Sequence, residues 1–185
     1  MRSFQALLVA SVAMAAVEGA AQAAQFRSVD MPGGGQGIVL SGLIEAGDAA
    51  AFHTLAETLP GAVVITTGPG GSIMPAMAIG SEIRARGWST LVPAGSKCAS
   101  ACTWIWLAGS TRMLGADAQI GFHAISVFLR GPETHDYDVV LRRWLTGLGY
   151  TLDTTATMMN TPAASIRWFD IIELRANGIP TEFFP

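Results

Sequence analysis

Apolar and polar positions along the chain fall into alternating blocks that predict strands and helices in turn. Residues 37–44 and 62–66 are short apolar runs, which are typical of buried strands. Residues 46–58 and 72–86 instead carry apolar side chains at helical spacing. The same patterns predict further strands at 89–93, 112–114 and 119–123, helices at 100–108 and 139–148, and a carboxy-terminal region from Thr151 that is helical in pieces. Strands alternating with helices indicate an α/β domain with a mostly parallel core sheet.

The first apolar run, at residues 6–17, has the features of an export signal. Arg2 precedes it, and Ala-Gln-Ala at 21–23 follows it with the small-x-small pattern that signal peptidase accepts. We therefore expect cleavage after Ala23 or Ala24 and a periplasmic or secreted mature chain without a membrane span. An uncleaved anchor is the alternative, although the run is shorter than the roughly 20 residues that a span needs.

These features set the expected limits of the domain. Residues 1–23 are the predicted signal peptide, and residues 24–35 are a predicted flexible lead-in that ends in three consecutive glycines. The remaining residues, 36–185, are of a length that forms one domain with its own core.

Composition and charge narrow the function classes. The chain is 50% hydrophobic and 14% charged, against about 25% charged in an average soluble domain, which excludes a disordered chain. The net charge is −3 and no block of basic residues occurs, so we expect no nucleic-acid partner. Two cysteines and three histidines do not make a zinc site, and His135 with Asp136 and Asp138 matches no ligand spacing. We expect neither a metal nor a cofactor.

Three segments place a reactive or backbone-exposing group at the end of a predicted strand. Gly-Pro-Gly-Gly at 68–71 lets the backbone approach a ligand closely, although a plain tight turn explains it as well. Ser100 begins an apolar helix, where it is either an N-cap or a nucleophile close to N–H groups that stabilise an oxyanion. His123 ends a short strand and is either structural or the base that takes the proton of Ser100. His53 has the context of a solvated surface residue.

Cys98 and Cys102 flank Ser100 at a separation of four residues. Within one helical turn their Cα atoms would lie about 6 Å apart, inside the range of a disulfide. An export location favours an oxidised pair that holds the turn presenting Ser100. Two buried free thiols are the alternative.

In this order, the segments resemble the Clp protease and crotonase superfamily, in particular its Clp proteolytic-subunit-like branch. Gly-Pro-Gly-Gly at 68–71 resembles the family's Ser-Pro-Gly-Gly loop, and Ala99-Ser100 resembles the element that carries its nucleophile. Residues 120–123 resemble the strand that ends in the catalytic histidine, and residues 173–180 resemble the family's terminal element. The resemblance implies a right-handed spiral of β-β-α units with a mostly parallel core sheet.

The resemblance also implies roles for single residues. Ser100 is the expected nucleophile, His123 the general base, and the backbone N–H groups of Gly71 and Ala101 the oxyanion hole. The implied substrate is a peptide or an unfolded protein segment, and no cofactor is implied.

Assembly is a further expectation from the family. Its members pack into rings, so a homo-oligomer is expected, with residues 158–159 and 183–184 as an apolar contact. No ATPase partner is expected, because the arm that engages an ATPase ring has no counterpart in this sequence.

The third member of the catalytic triad is where the sequence departs from the family. The family places an aspartate ahead of its terminal glycine, and counting back from Gly178 reaches Ile166. Asp170 is the nearest carboxylate, and Asp153 and Asn160 are the other candidates. Loss of the orienting carboxylate can lower turnover by about 10⁴ in a triad protease.

Two function classes follow for the chain. The first is an exported Clp-like serine hydrolase, in particular a peptidase. The second is a catalytically inactive Clp-like fold that serves as a periplasmic binding or assembly module. A crotonase-like acyl enzyme fits poorly, because coenzyme A is not expected outside the cytoplasm.

Overall fold

A computed structural model describes residues 23–125 and 133–185, and this part of the chain folds into a curled sheet with helices packed on it. The strands are β1 Gln25–Asp30, β2 Gln36–Ile44, β3 Val63–Gly71, β4 Ser89–Val92, β5 Lys97–Ala99, β6 Arg112–Gly115, β7 Gln119–Phe122, β8 Arg167–Phe169 and β9 Glu182–Phe184. The helices are α1 Asp48–Ala56, α2 Ile73–Ala85, α3 Ala101–Leu107, α4 Glu133–Gly147, α5 Leu152–Met159 and α6 Ile171–Ala176. The predicted signal peptide lies outside the described residues except for Ala23.

The sheet is mostly parallel and branches at β3. β2 pairs in parallel with β3 from Val63 to Gly71, the first residues of β3 also pair in parallel with β4, and β4 continues through β6 to β9. The second half of β3 turns to β5, where Gly68 pairs with Cys98, and β5 continues through β7 to β8. Only β1–β2 and β7–β8 are antiparallel pairs in the described part. The α/β class with a mostly parallel sheet is therefore confirmed.

Helix α3 forms the centre of the core. All seven of its residues are buried, as its uniformly apolar sequence predicts. Trp106 is fully buried, and its indole nitrogen donates to the backbone oxygen of Met113 at 3.0 Å. Thr90 of β4 donates to the oxygen of Trp106 at 2.6 Å. These bonds join the carboxyl end of α3 to the sheet and fix the direction in which its amino end points.

The predicted flexible lead-in is wrong for residues 25–30, which form β1 along the edge of β2. Phe26 packs edge-on against Phe52 of α1, with ring centroids 6.4 Å apart. This contact and the antiparallel pairing fix the segment. The three glycines do form a turn, closed by the Met31 N–H bond to the Gly35 oxygen.

Two expectations for the carboxy-terminal region also change. The region is not helical in pieces alone, since β8 and β9 add short strands to the two ends of the sheet path. Met158 and Met159 are buried in the core, so they form no contact surface, whereas Phe183 is 56% exposed. None of the helices in the described ranges is long and apolar enough to cross a bilayer.

Candidate active site

Ser100 occupies a sharp turn between β5 and α3. Its backbone has φ 54° and ψ −127°, a conformation that costs a non-glycine residue free energy and that clusters at functional sites. The turn is held by the Ser100 N–H bond to the Gly121 oxygen at 2.9 Å and by Thr103, which donates to the Ser100 oxygen through both its N–H and its hydroxyl. Ser100 stands at the N-cap position, but its hydroxyl makes no capping hydrogen bond. The hydroxyl is therefore available for chemistry.

The glycine segment predicted as a turn is the last part of β3, and it runs beside Ser100. Gly70 has φ 98°, and a Cβ placed on it would lie 2.6 Å from both the Ala101 nitrogen and the Ala99 oxygen. Gly71 has φ 132° and pairs in register with Ile44 of β2. Only glycine allows this conformation together with so close an approach of two backbones.

Cys98 and Cys102 form a disulfide with an S–S distance of 2.06 Å, so the free-thiol alternative does not describe this structure. The pair spans two elements rather than one helical turn, since Cys98 lies in β5 and Cys102 in α3. Both residues are buried, and the Thr66 hydroxyl lies 3.2 Å from the Cys102 sulfur. The bridge therefore closes the turn that carries Ser100.

His123 directly follows β7 and is half-buried. Its Nδ1 lies 2.6 Å from the backbone oxygen of Ala124. A carbonyl oxygen only accepts hydrogen bonds, so Nδ1 carries a proton, and in the neutral tautomer with this proton the lone pair is on Nε2. Ala124 is in turn fixed by its N–H bond to the Thr161 oxygen at 2.7 Å. This tautomer is the one that a general base acting through Nε2 requires.

One cavity of about 1140 Å³ brings the predicted site residues together. Gly71, Ser100, Ala101 and His123 all line it. Ser100 and His123 share the cavity without a direct hydrogen bond between them among the bonds of the described residues. Catalytic hydrogen bonds are often long in unliganded enzymes and shorten when substrate binds.

No carboxylate of the described part is bonded to His123. Asp170 caps α6 by accepting from the Glu173 N–H at 2.8 Å, so its carboxylate is already committed. Asp153 lies in the first turn of α5 and Asn160 is the C-cap of that helix, and both are exposed. Ile166 lines the cavity, and its Cγ2 lies 2.6 Å from where a Cβ on Gly121 would be. The position implied for the third triad member therefore holds an apolar side chain beside β7.

Polar groups elsewhere form an ion-pair network on the surface. His53 of α1 lies 3.0 Å from a Glu82 oxygen, and Arg86 bonds both Glu57 and Glu82. Hydrogen bonds to Glu57 and then Glu82 raise the pKa of Arg86 above its ordinary value. The ligand atoms of His53, Glu57 and Glu82 lie within 4.8 Å of one another, but both carboxylates are already bonded to the guanidinium of Arg86. The side chains of His135 and Asp136 lie outside the described part.

Similarity to solved structures decides the fold type. Two structures of a membrane-bound stomatin-specific protease match with a TM-score of 0.58 and 15% identity over 79% of this chain. One, a serine-to-alanine mutant, is covered over 77% of its length. The other, a lysine-to-alanine mutant in complex with a substrate peptide, is covered over 73%. The fold is of the Clp protease and crotonase type. Neither a family model nor a curated protein sequence matches the chain.

The second structure carries a lysine-to-alanine mutation, so the position of lysine in this chain is relevant to the site. Lys97 is the one lysine of this sequence, three residues before Ser100. Its ammonium nitrogen lies 4.7 Å from the centroid of the Trp168 ring, a cation–π contact, and Lys97 does not line the cavity. His123 is therefore the better placed base in the described part of this chain.

Proposed function

We propose that the chain is an exported serine hydrolase of Clp-like fold that cleaves peptides or unfolded protein segments. The observation that carries the proposal is the turn at Ser100. A strained serine without a capping role opens into the same cavity as a histidine and the backbone of Gly71 and Ala101. Backbone strain of this kind, held in place by the surrounding structure, clusters at active sites.

The reaction follows from these positions. The Ser100 hydroxyl attacks the carbonyl carbon of the scissile bond while His123 Nε2 takes the hydroxyl proton. The N–H groups of Gly71 and Ala101 stabilise the oxygen that becomes negative. The imidazolium then gives its proton to the leaving amine. This step leaves an ester on Ser100. A water molecule, deprotonated by the same nitrogen, attacks that ester, and the imidazolium returns the proton to the serine oxygen as the acid leaves.

The base is oriented by a backbone carbonyl in this proposal. The Ala124 oxygen holds the Nδ1–H tautomer of His123 as a carboxylate would, but it brings no negative charge to stabilise the imidazolium. A triad enzyme that loses its carboxylate loses about 10⁴ in turnover, mostly because the wrong tautomer forms. A neutral acceptor that keeps the right tautomer supports a slower but working enzyme.

Location and assembly belong to the same proposal. The sequence of residues 1–23 supports export, and the disulfide beside the nucleophile suits an oxidising compartment such as a periplasm. We propose that the enzyme works without an ATPase partner and without a metal or cofactor. A homo-oligomer like those of the family remains part of the proposal.

Hydrolysis by matched variants tests the function. The mature oxidised protein is incubated with a peptide mixture, and cleavage is followed by mass spectrometry. We expect Ser100→Ala and His123→Ala each to abolish cleavage without loss of fold, whereas Asp170→Asn, which keeps a capping side chain, retains it. Full activity in either of the first two variants would exclude this mechanism.

A second candidate is an inactive Clp-like module that binds peptides or partner proteins. It is favoured by Ile166 at the position of the family's carboxylate, and by the lack of a Ser100–His123 hydrogen bond in the described part. This candidate predicts that the wild-type protein binds peptides in the cavity and never cleaves them. The same incubation separates the two functions.

A further inference from the structure

The walls of the cavity are chiefly apolar, and this limits what the site accepts. Apolar side chains line it from several elements, including Ile73, Met74, Trp104, Ile125, Ile166 and Trp168. An uncompensated charge of the substrate would lose its hydration against such a surface. Peptide segments that occupy most of this cavity are therefore apolar.

Glu45 is the exception among the described lining residues. It is the one Asp, Glu, Lys or Arg residue that lines the cavity there, and His123 and Tyr137 are the other lining residues with titratable side chains. It is exposed, and the described part contains no ion pair or side-chain hydrogen bond that uses its carboxylate. Glu45 thus brings a carboxylate to a cavity whose walls are chiefly apolar.

The position of Glu45 is fixed by its main chain. It directly follows Ile44, whose backbone pairs in register with Gly71. Its N–H donates to Asp48 at 2.7 Å, and its oxygen accepts from the Asp48 N–H at 3.3 Å. These bonds tie Glu45 to the start of α1, on the Gly71 side of Ser100. A rigid main chain keeps the carboxylate beside the cavity.

We propose that Glu45 is a specificity-determining residue which selects apolar peptides carrying one cationic group on the Gly71 side of the reacting bond. The inference rests on the proposed function, because it names the substrate class of that site. A carboxylate accepts a charge-assisted hydrogen bond from an ammonium or guanidinium group and repels an acidic side chain. The cationic group is a Lys or Arg side chain or a free peptide amino terminus, which share this chemistry.

Peptide binding to the Ser100→Ala variant of the mature chain tests the inference without requiring turnover. The probes are nine-residue peptides of alanine, leucine and isoleucine, with lysine, glutamine or glutamate at each position in turn. Each is prepared with a free and with an acetylated amino terminus, and affinity is measured by isothermal titration calorimetry. Comparison of the free and acetylated peptides shows whether the site binds a cationic side chain or the terminal amine.

At one position or at the free terminus, we expect the cationic peptide to bind about two to five times more tightly than its neutral partner, less so at high salt. Adding Glu45→Gln should remove the preference, and Glu45→Lys should reverse it toward glutamate. Glu182→Lys is the matched control, since Glu182 is an exposed carboxylate of β9 outside the cavity, and it should change nothing.

The outcomes separate this inference from the proposed hydrolase. Equal affinities, a preference that survives in Glu45→Gln, or no binding by any peptide would overturn the role of Glu45. Selective binding that depends on Glu45, in a protein whose intact Ser100 form cleaves none of the same peptides, would retain that role and exclude the peptidase.

Discussion

Ser100 and Gly70 both hold backbone conformations with positive φ, and they lie against one another. A Cβ on Gly70 would come within 2.7 Å of the Ser100 Cβ, so the glycine is what allows β3 to pass Ser100. The motif containing Gly70 was visible in the sequence, but its steric reason was not. That reason depends on which backbone lies opposite, and only the fold defines it.

Gly70→Ala should therefore lower the free energy of unfolding more than an alanine substitution at a glycine with open space around it. Gly34 has the same φ of 98°, but no atom lies within 4 Å of where its Cβ would be. Gly34→Ala therefore measures the cost of the positive φ alone, without a steric clash. We expect Gly34→Ala to lower the free energy of unfolding by about 1 kcal/mol and Gly70→Ala by about 3 kcal/mol or more, with loss of activity. Urea denaturation measures both. Equal effects would show that the approach at Gly70 is not tight.

The orienting group of His123 lies beyond what sequence reasoning could reach. Ser100, His123 and the glycines carry side-chain or backbone signatures that a motif reveals. A backbone carbonyl has no such signature, because every residue supplies a carbonyl. Only the path of the folded chain places the carbonyl of Ala124 against His123. The family pattern points to position 166, which holds Ile166, and the nearest carboxylate in the sequence is that of Asp170. Neither side chain is bonded to His123 in the described part.

At the scale of elements, the site is built where β5 gives way to α3. The disulfide joins these two elements across Ser100, with Cα atoms 5.4 Å apart. It closes a short loop, so the entropy that it removes from the unfolded chain is small compared with that of a long-range bridge. Its main effect is then local, on the turn between the two elements.

Replacing both cysteines should weaken both the fold and catalysis. For Cys98→Ala with Cys102→Ala, we expect the free energy of unfolding to fall by about 2 kcal/mol. We expect kcat to fall at least about tenfold with KM little changed, because the nucleophile loses its fixed position. Steady-state kinetics and urea denaturation measure the two effects.

Reduction offers the control for the disulfide prediction. A thiol reductant should lower the activity of the wild-type protein, and reoxidation should restore it, whereas the double variant should not respond. Unchanged kcat in a folded double variant would mean that the turn at Ser100 holds its shape without the bridge.

Elements of four or more residues are largely predictable from the sequence, with β1 as the exception, and the three-residue strands are not. The strands β2, β3 and β4 and the helices α1, α2 and α3 match apolar runs of the right period. The three-residue strand β5 went unrecognised because a segment of that length has no measurable alternation. The Gly-Pro-Gly-Gly segment predicts a break because clustered glycine and proline are typical of turns, yet pairing with β2 continues through Gly70 and Gly71.

At the scale of the whole molecule, Tyr150 links the end of α4 to the core helix. Its hydroxyl donates to the Leu107 oxygen at the end of α3, at a distance of 2.8 Å. Burial raises the pKa of Tyr150 to about 12, and the nearby Arg112 opposes only part of that effect. The fold therefore favours the neutral phenol.

This shift predicts a loss of stability at alkaline pH. The unfolded tyrosine ionises near pH 10 and the folded one near 12, so the stabilisation is complete below about pH 10 and is lost as pH rises to about 12. The loss amounts to about 2 to 3 kcal/mol. Urea denaturation at pH 8 and pH 12 should show it in the wild-type protein. Tyr150→Phe should lack that component, and an equal fall in this variant would assign it to other groups.

The overall architecture followed from the order of the elements, and its branching did not. Alternating strands and helices were enough to predict a mostly parallel α/β sheet. The sequence contains no pattern that predicts the branch at β3, which pairs with β4 near its start and with β5 at Gly68. Such a branch depends on pairing between segments that lie far apart in the sequence. The branch nevertheless matters for function, since it brings β5, β7 and the glycines of β3 around one cavity.

The central claim, that Ser100 is an activated nucleophile, is tested most directly by a fluorophosphonate probe. Such a probe reacts at a serine that is activated by a base and an oxyanion hole. The mature, oxidised protein is labelled and the modified peptide is identified by mass spectrometry. We predict a label on Ser100 that disappears in His123→Ala. An unlabelled Ser100 in a folded protein, or a label that is undiminished in His123→Ala, would contradict the proposed mechanism.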